Sequence, residues 1–170
     1  MERIWAGWRG AYLSGELAKG KLEPECVLCE IAAVPAEGDT QCRDDELLVV
    51  FRGETAVVAL NLYPYTSGHL MIVPKNHTSD IGLLSAESRF ELLELANQAV
   101  KVLRVSHGAA GFNIGMNLGL PSGAAIVDHV HLHVVPRYIG DANFMTTTAD
   151  VRVIPETLSD TLDKIRKVWM

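Results

Sequence analysis

Three histidines stand at alternate positions in His129-Val130-His131-Leu132-His133-Val134-Val135. In an extended chain, residues i, i+2 and i+4 share one face. As a strand, this run aims three imidazoles outward together and buries Val130, Leu132 and Val134 behind them. As a helix, it would scatter the rings around the axis. Half of the chain's 6 histidines lie within these five positions, and that concentration points to chemistry. A neutral imidazole nitrogen is a competent nucleophile near pH 7, and a neighbouring protonated ring neutralises phosphate oxygens. Same-face side chains on a strand sit roughly 7 Å apart. One phosphoryl group can therefore touch the central ring and an outer one together. The expectation is attack on phosphorus by His131, with His133 orienting or stabilising the phosphate. Metal at the triad itself is the competing use, since three histidines can form an open zinc site. Their spacing of ~7 Å, however, keeps all three from reaching one ion at ~2 Å easily.

Cys26-Val27-Leu28-Cys29 is the second chemical feature. A Cys-x-x-Cys pair reads either as a redox dithiol at a helix start or as half of a zinc site. Nothing before it looks like the strand that precedes a thioredoxin-type motif. Zinc needs two further ligands at a distance, and His77 and His129 are available. Cys42 stands alone in a polar stretch and reads as a free thiol.

The His-φ-His-φ-His-φ-φ run, with φ apolar, resembles the signature of the histidine triad nucleotide hydrolases and transferases. Asn61 to His77 is similar to a second motif of that family, with a polar residue, a loop, Gly68-His69, apolar residues and the Pro74-Lys75 turn. The resemblance covers roughly residues 26–145. It implies an α+β fold with an antiparallel sheet of about five strands, and a homodimer whose two sheets run together. Helices would then cover one sheet face and leave the triad face open. It also implies a structural zinc held by Cys26, Cys29, His77 and His129, a closed four-ligand shell. By the same match Asn61 bonds the ribose hydroxyls, and an amide does offer a donor and an acceptor to a diol. Asn117 contacts the α-phosphate, and backbone N–H groups of Ser122, Gly123 and Ala124 bind its oxygens, where small residues let backbone come close. His69 reads as a structural histidine within the sheet. Pro136-Arg137 followed by Gly140-Asp141-Ala142-Asn143-Phe144 resembles the branch acting on dinucleoside polyphosphates of the diadenosine tetraphosphate type more than the phosphoramidase branch. On that branch Arg137 pairs with a distal phosphate. Many relatives carry Gly-Gln-Ser or Gly-Gln-Thr before the triad. Here that region is Ala124-Ala125-Ile126, so the leaving-group roles of the Gln and the hydroxyl do not carry over.

The elements that must position these residues follow from pattern. Asp45–Phe51 and Thr55–Leu60 read as strands joined by a tight turn at Arg52-Gly53-Glu54. His69–Pro74 and Gly111–Asn117 read as further strands. Ser85 to Ser106 has helical spacing, with Leu92, Leu95, Ala96, Ala99, Val102 and Leu103 on one face. Ser85 offers its N-cap and Gly108 follows its end. Pro155 to Trp169 reads as an amphipathic C-terminal helix, and residues 1–24 as an aromatic and basic arm packed on its own domain.

At 170 residues the chain fits one domain, 1–170, with an ordinary globular composition of 48% hydrophobic and 21% charged residues. A net charge of −6 argues against a general nucleic-acid surface, though not against a small nucleotide. No run reaches ~18 uninterrupted apolar residues, and Met1–Gly10 lacks a signal-peptide core, so a cytoplasmic location is expected. Three functions compete: a nucleotidyl hydrolase or transferase on dinucleoside polyphosphates or nucleoside phosphoramidates, a nucleotide sensor with weak chemistry, and a zinc enzyme with metal at the triad.

Overall fold

A computed structural model of the chain describes residues 26–33, 40–141 and 155–169. The N-terminal arm and the Ala142-Asn143-Phe144 end of the Gly140–Phe144 pattern lie outside these residues. Two short helices, α1 (Val27–Ala32) and α2 (Thr40–Glu46), precede strands β1 (Val49–Arg52), β2 (Ala56–Leu60) and β3 (Leu70–Pro74). A long helix α3 (Ala86–His107) leads to β4 (Gly111–Met116), β5 (Leu132–Arg137) and helix α4 (Leu158–Arg166). The five strands form one sheet in the order β1-β2-β3-β5-β4, antiparallel at every pair. The fold is the expected α+β.

Register decides which side chains share a floor. Val49 pairs with Ala59, Ala59 with Met71, Met71 with His133, and His133 with Gly115. This row crosses the whole sheet on the histidine side. The other side holds Val58, Leu60, Ile72, Leu132 and Val134, which pack with Leu92, Leu95, Ala99, Val102 and Leu103 of α3 in one core. Helix α3 begins where Ser85 accepts a bond from the N–H of Ser88, and it ends at Gly108 with φ 64°. Both are the expected caps.

Two expectations need correction. The triad face is not left open. Helix α1 packs on it, and Leu28 and Ile31 share a second core with Val57, Ala59, Met71 and Val73. Covered on both faces, β2 and β3 are buried at every position, as central strands of apolar composition are. Asp45 and Glu46 do not open a strand either. They finish α2, and Cys42 lies exposed on that helix. Helix α2 is held by Arg52, which binds Asp44 through both Nε and Nη2 and donates through Nη1 to the carbonyls of Ile31 and Ala33. Arg52 thus ties the C-terminal end of α1 to α2. Helix α4 is fastened by Arg166, whose Nε donates to the Val49 carbonyl at 3.0 Å, and by Trp169 stacked on Phe51.

Candidate active site and metal centre

The triad is only partly strand. β5 starts at Leu132, and His129 and His131 lie in the segment that feeds it. Alternation still holds, since Val130 joins Leu132 and Val134 in the α3-side core. The rings do not all face outward, however. His129 is completely buried and His131 is 6% exposed. What turns His129 inward is its pair of partners. Its Nε2 donates to the Pro74 carbonyl at 2.8 Å, and its Nδ1 lies 3.4 Å from Cys26 Sγ and 3.5 Å from Cys29 Sγ. Burial holds the His129 imidazolium down, which keeps the ring neutral.

Cys26, Cys29, His77 and His129 come together with all four ligand atoms within 4.8 Å of one another. Cys29 Sγ is 3.1 Å from His77 Nδ1. A tetrahedral zinc with Zn–S of about 2.3 Å and Zn–N of about 2.1 Å puts neighbouring S and N ligands roughly 3.5 Å apart. The donor set and its spacing therefore fit zinc. The Nε2 bond from His129 to Pro74 is the outer partner that fixes a metal-binding imidazole. Burial and the neighbouring Cys26 push the Cys29 thiol up.

His131 Nδ1 lies 3.0 Å from the carbonyl oxygen of His129. A carbonyl can only accept, so the His131 proton sits on Nδ1 and the lone pair on Nε2. Burial lowers the pKa of His131, partly offset by that bond, and favours the neutral ring. His133 is fixed by a different chain of bonds. The Tyr65 N–H donates to His69 Nδ1 at 3.1 Å, and His69 Nε2 lies 3.0 Å from His133 Nδ1. His69 therefore donates from Nε2, and the proton of neutral His133 sits on its own Nε2. One ring carries a bare nitrogen and the next carries a donor, with centroids 4.7 Å apart. This is the pairing that attack on a phosphate needs.

Both rings line a cavity of about 460 Å³ with Asn61, Asn117, Gly123 and Ala125. Val27, Leu28 and Ile31 of α1, with Met71 and Ile126, give it apolar walls. Asn61 is already half used, because its Oδ1 accepts from the Tyr63 N–H at 2.9 Å. Its amide NH₂ and the second lone pair of Oδ1 are what it can offer to a ligand. Ser122 and Ala124 are not brought to the cavity. The Ser122 N–H and hydroxyl both donate to the Gly119 carbonyl, at 3.2 and 2.7 Å, and Ala124 is buried. Gly123 does line the cavity, but its N–H donates to the Leu120 carbonyl at 3.0 Å. Arg137 is also committed elsewhere. Asp141 binds its Nε and Nη2, and Asn113 accepts from its Nη1 at 2.8 Å. It braces the turn after β5 and does not line the cavity. His69 is the expected histidine bonded within the sheet, buried and bridging Tyr65 to His133. The sequence did not reveal its bond to a triad ring, the α1 wall, or Tyr65, whose ring lies 4.6 Å from His69 and 6.1 Å from His133. The Gly68-His69 motif was the available signal for the first; the other two carry no motif.

Residues 44–140 match the model of the HIT domain family. The chain is 38% identical over 172 residues to an AP-4-A phosphorylase of Mycobacterium tuberculosis, covering 99% of this chain and 85% of that one. It is 31% identical over 114 residues to an adenosine 5'-monophosphoramidase of Schizosaccharomyces pombe, covering 66% of this chain and 74% of that protein. A zinc-bound histidine triad family protein of Mycobacterium smegmatis superposes with a TM-score of 0.65 at 27% identity, covering 85% of this chain and 93% of that one. The geometry of the paired imidazoles and the sequence likeness agree: this chain belongs to the HIT domain family.

Proposed function

We propose that this enzyme cleaves dinucleoside polyphosphates of the diadenosine tetraphosphate type at the α-phosphorus, through a nucleotidyl-His131 intermediate. The observation that carries the reading is the Nδ1 bond of His131 to the His129 carbonyl, which leaves Nε2 bare beside the cavity. In the first step His131 Nε2 bonds to phosphorus, and the bond from phosphorus to the leaving nucleoside polyphosphate breaks, its oxygen keeping the electron pair. In the second step an acceptor oxygen bonds to phosphorus and the P–N bond returns its electrons to Nε2. Where the acceptor is water its proton is released to solvent, and a phosphate oxygen anion has none to lose. The His133 Nε2–H supports the phosphoryl oxygens throughout. Splitting the displacement in two lets water or inorganic phosphate complete it. The likeness to the mycobacterial phosphorylase favours phosphate.

Nucleoside phosphoramidate hydrolysis is the second reading. None of the described residues lining the cavity is Lys or Arg, which suits a leaving group less charged than a polyphosphate. Incubation with a diadenosine polyphosphate series, with and without inorganic phosphate, separates the outcomes. ADP that forms only with phosphate means phosphorolysis, AMP means hydrolysis, and turnover of adenosine phosphoramidate alone favours the second reading.

Zinc at Cys26, Cys29, His77 and His129 would be structural, because four protein ligands leave no open position. When bound, it neutralises the two thiolates and clamps α1 to the segment before β5. Keeping both thiols reduced suits a cytoplasmic setting. Among the described residues no helix is long and apolar enough to cross a membrane. A homodimer with continuous sheets is the assembly we favour. β4 is an edge strand with Ile114 exposed, and an unpaired edge invites a second strand. Phe90, Leu93 and Val105 of α3 are exposed as well.

A further inference from the structure

The cavity has a direction. His133 and Gly115 lie at one end of the row that crosses the sheet, and Val49 of β1 lies at the other. Between β5 and β1 are three inter-strand steps, roughly 14 Å at about 4.8 Å each. That span suits a nucleotide laid from its phosphate on the triad, past Asn61 at the end of β2, to its base. The base end is closed by the turn from α2 into β1, and Glu46, Leu47 and Leu48 of that turn line the cavity. Leu48 holds φ at 57°, and among the described residues no other non-glycine residue has positive φ. A left-handed leucine is strained, and such strain is kept where the surroundings fix it. It sends Leu47 to the core of the histidine side and Leu48 to the core of the α3 side. Glu46 is the only Asp, Glu, Lys or Arg among the described lining residues. Its side chain is 62% exposed and its carboxylate only loosely paired, with Arg43 at 3.4 Å, while Arg43 also binds Glu30. The carbonyl end of α2 adds partial negative charge at the same place.

We propose that Glu46 reads the base, accepting a hydrogen bond from the 6-amino group of an adenine-type purine and disfavouring its 6-oxo counterpart. The apolar walls hold either ring by contact alone and cannot tell the two apart. A carboxylate aimed at the 6-position of a ring held in one pose can, because it accepts from an amine and repels a carbonyl oxygen there. The N1–H of the 6-oxo ring would reach it only if the ring shifted along its edge. This assignment rests on the nucleotide reading of the cavity and names the residue that selects its adenine.

The test is calorimetric titration of the whole, zinc-loaded protein with AMP and with IMP. Wild type is expected to bind AMP on the order of tenfold more tightly, the size of one charge-assisted hydrogen bond at a partly exposed site. Glu46→Ala should bring the two affinities together. Glu46→Lys, which offers a donor, should invert the order. If both nucleotides bind wild type and Glu46→Ala with the same ratio, Glu46 does not read the base, and the nucleotide reading stands without it. If neither nucleotide binds, both ideas fail.

Discussion

His69 Nε2 lies 3.0 Å from His133 Nδ1, and through that bond a residue outside the triad decides where a triad proton sits. Removing it should free His133 to rotate and to swap tautomers. His69→Ala is expected to lose about 10–100-fold in kcat, the usual cost of removing an outer partner that orients a functional imidazole, while nucleotide affinity changes little. Steady-state kinetics beside direct binding checks this. An unchanged kcat would mean that His133 is held by other contacts.

The metal prediction concerns folding more than rate. Metal-binding energy at a site absent from the unfolded chain becomes folding energy. Elemental analysis should find one zinc per chain. Cys26→Ser or Cys29→Ser should lower Tm clearly, and should lower the rate per folded molecule less. A native preparation that contains no zinc and melts like the loaded one would remove the metal from the account.

Much of this was legible in the sequence, and the gaps have local causes. The helix over Ala86–His107 could be read because its apolar spacing and both caps agree. The thiol–imidazole cluster was legible as residue types, and the fold supplies the contact across more than 100 positions between Cys26 and His129. Asp45 and Glu46 looked like a strand start because the Val49-Val50-Phe51 run follows them. Their helix is short and polar, and an ion pair from Arg52 to Asp44 helps to hold it. Ser122 and Arg137 are near the site in sequence, but each finds a closer partner, the Gly119 carbonyl and Asp141. No residue pattern reveals such local competition.

Stability should fall on mild acidification. His107, His129 and His131 all have pKa values lowered first by burial, against about 6.5 in an unfolded chain. A lowered folded value means that the unfolded chain binds more protons in the window between, so stability rises with pH there. The contribution is complete above about 6.5 and is lost as pH drops through the folded values. Zinc release acts in the same direction, because its ligands must be deprotonated. Melting scans from pH 8 to pH 5 should show Tm level at first and falling below about 6.5. A Tm that holds steady or rises across that range would show that these rings do not titrate as buried neutral groups.

The most direct measurement concerns His131 itself. Wild-type enzyme mixed with α-labelled diadenosine tetraphosphate and quenched with denaturant within one turnover should carry label on a histidine, in an acid-labile, base-stable bond, and peptide mapping should place it at position 131. His131→Ala should carry none, should lose on the order of 10⁴-fold in rate as members of catalytic triads do, and should still bind nucleotide. Label on another residue, no label at any quench time, or near-native turnover by His131→Ala would contradict a nucleotidyl-His131 intermediate.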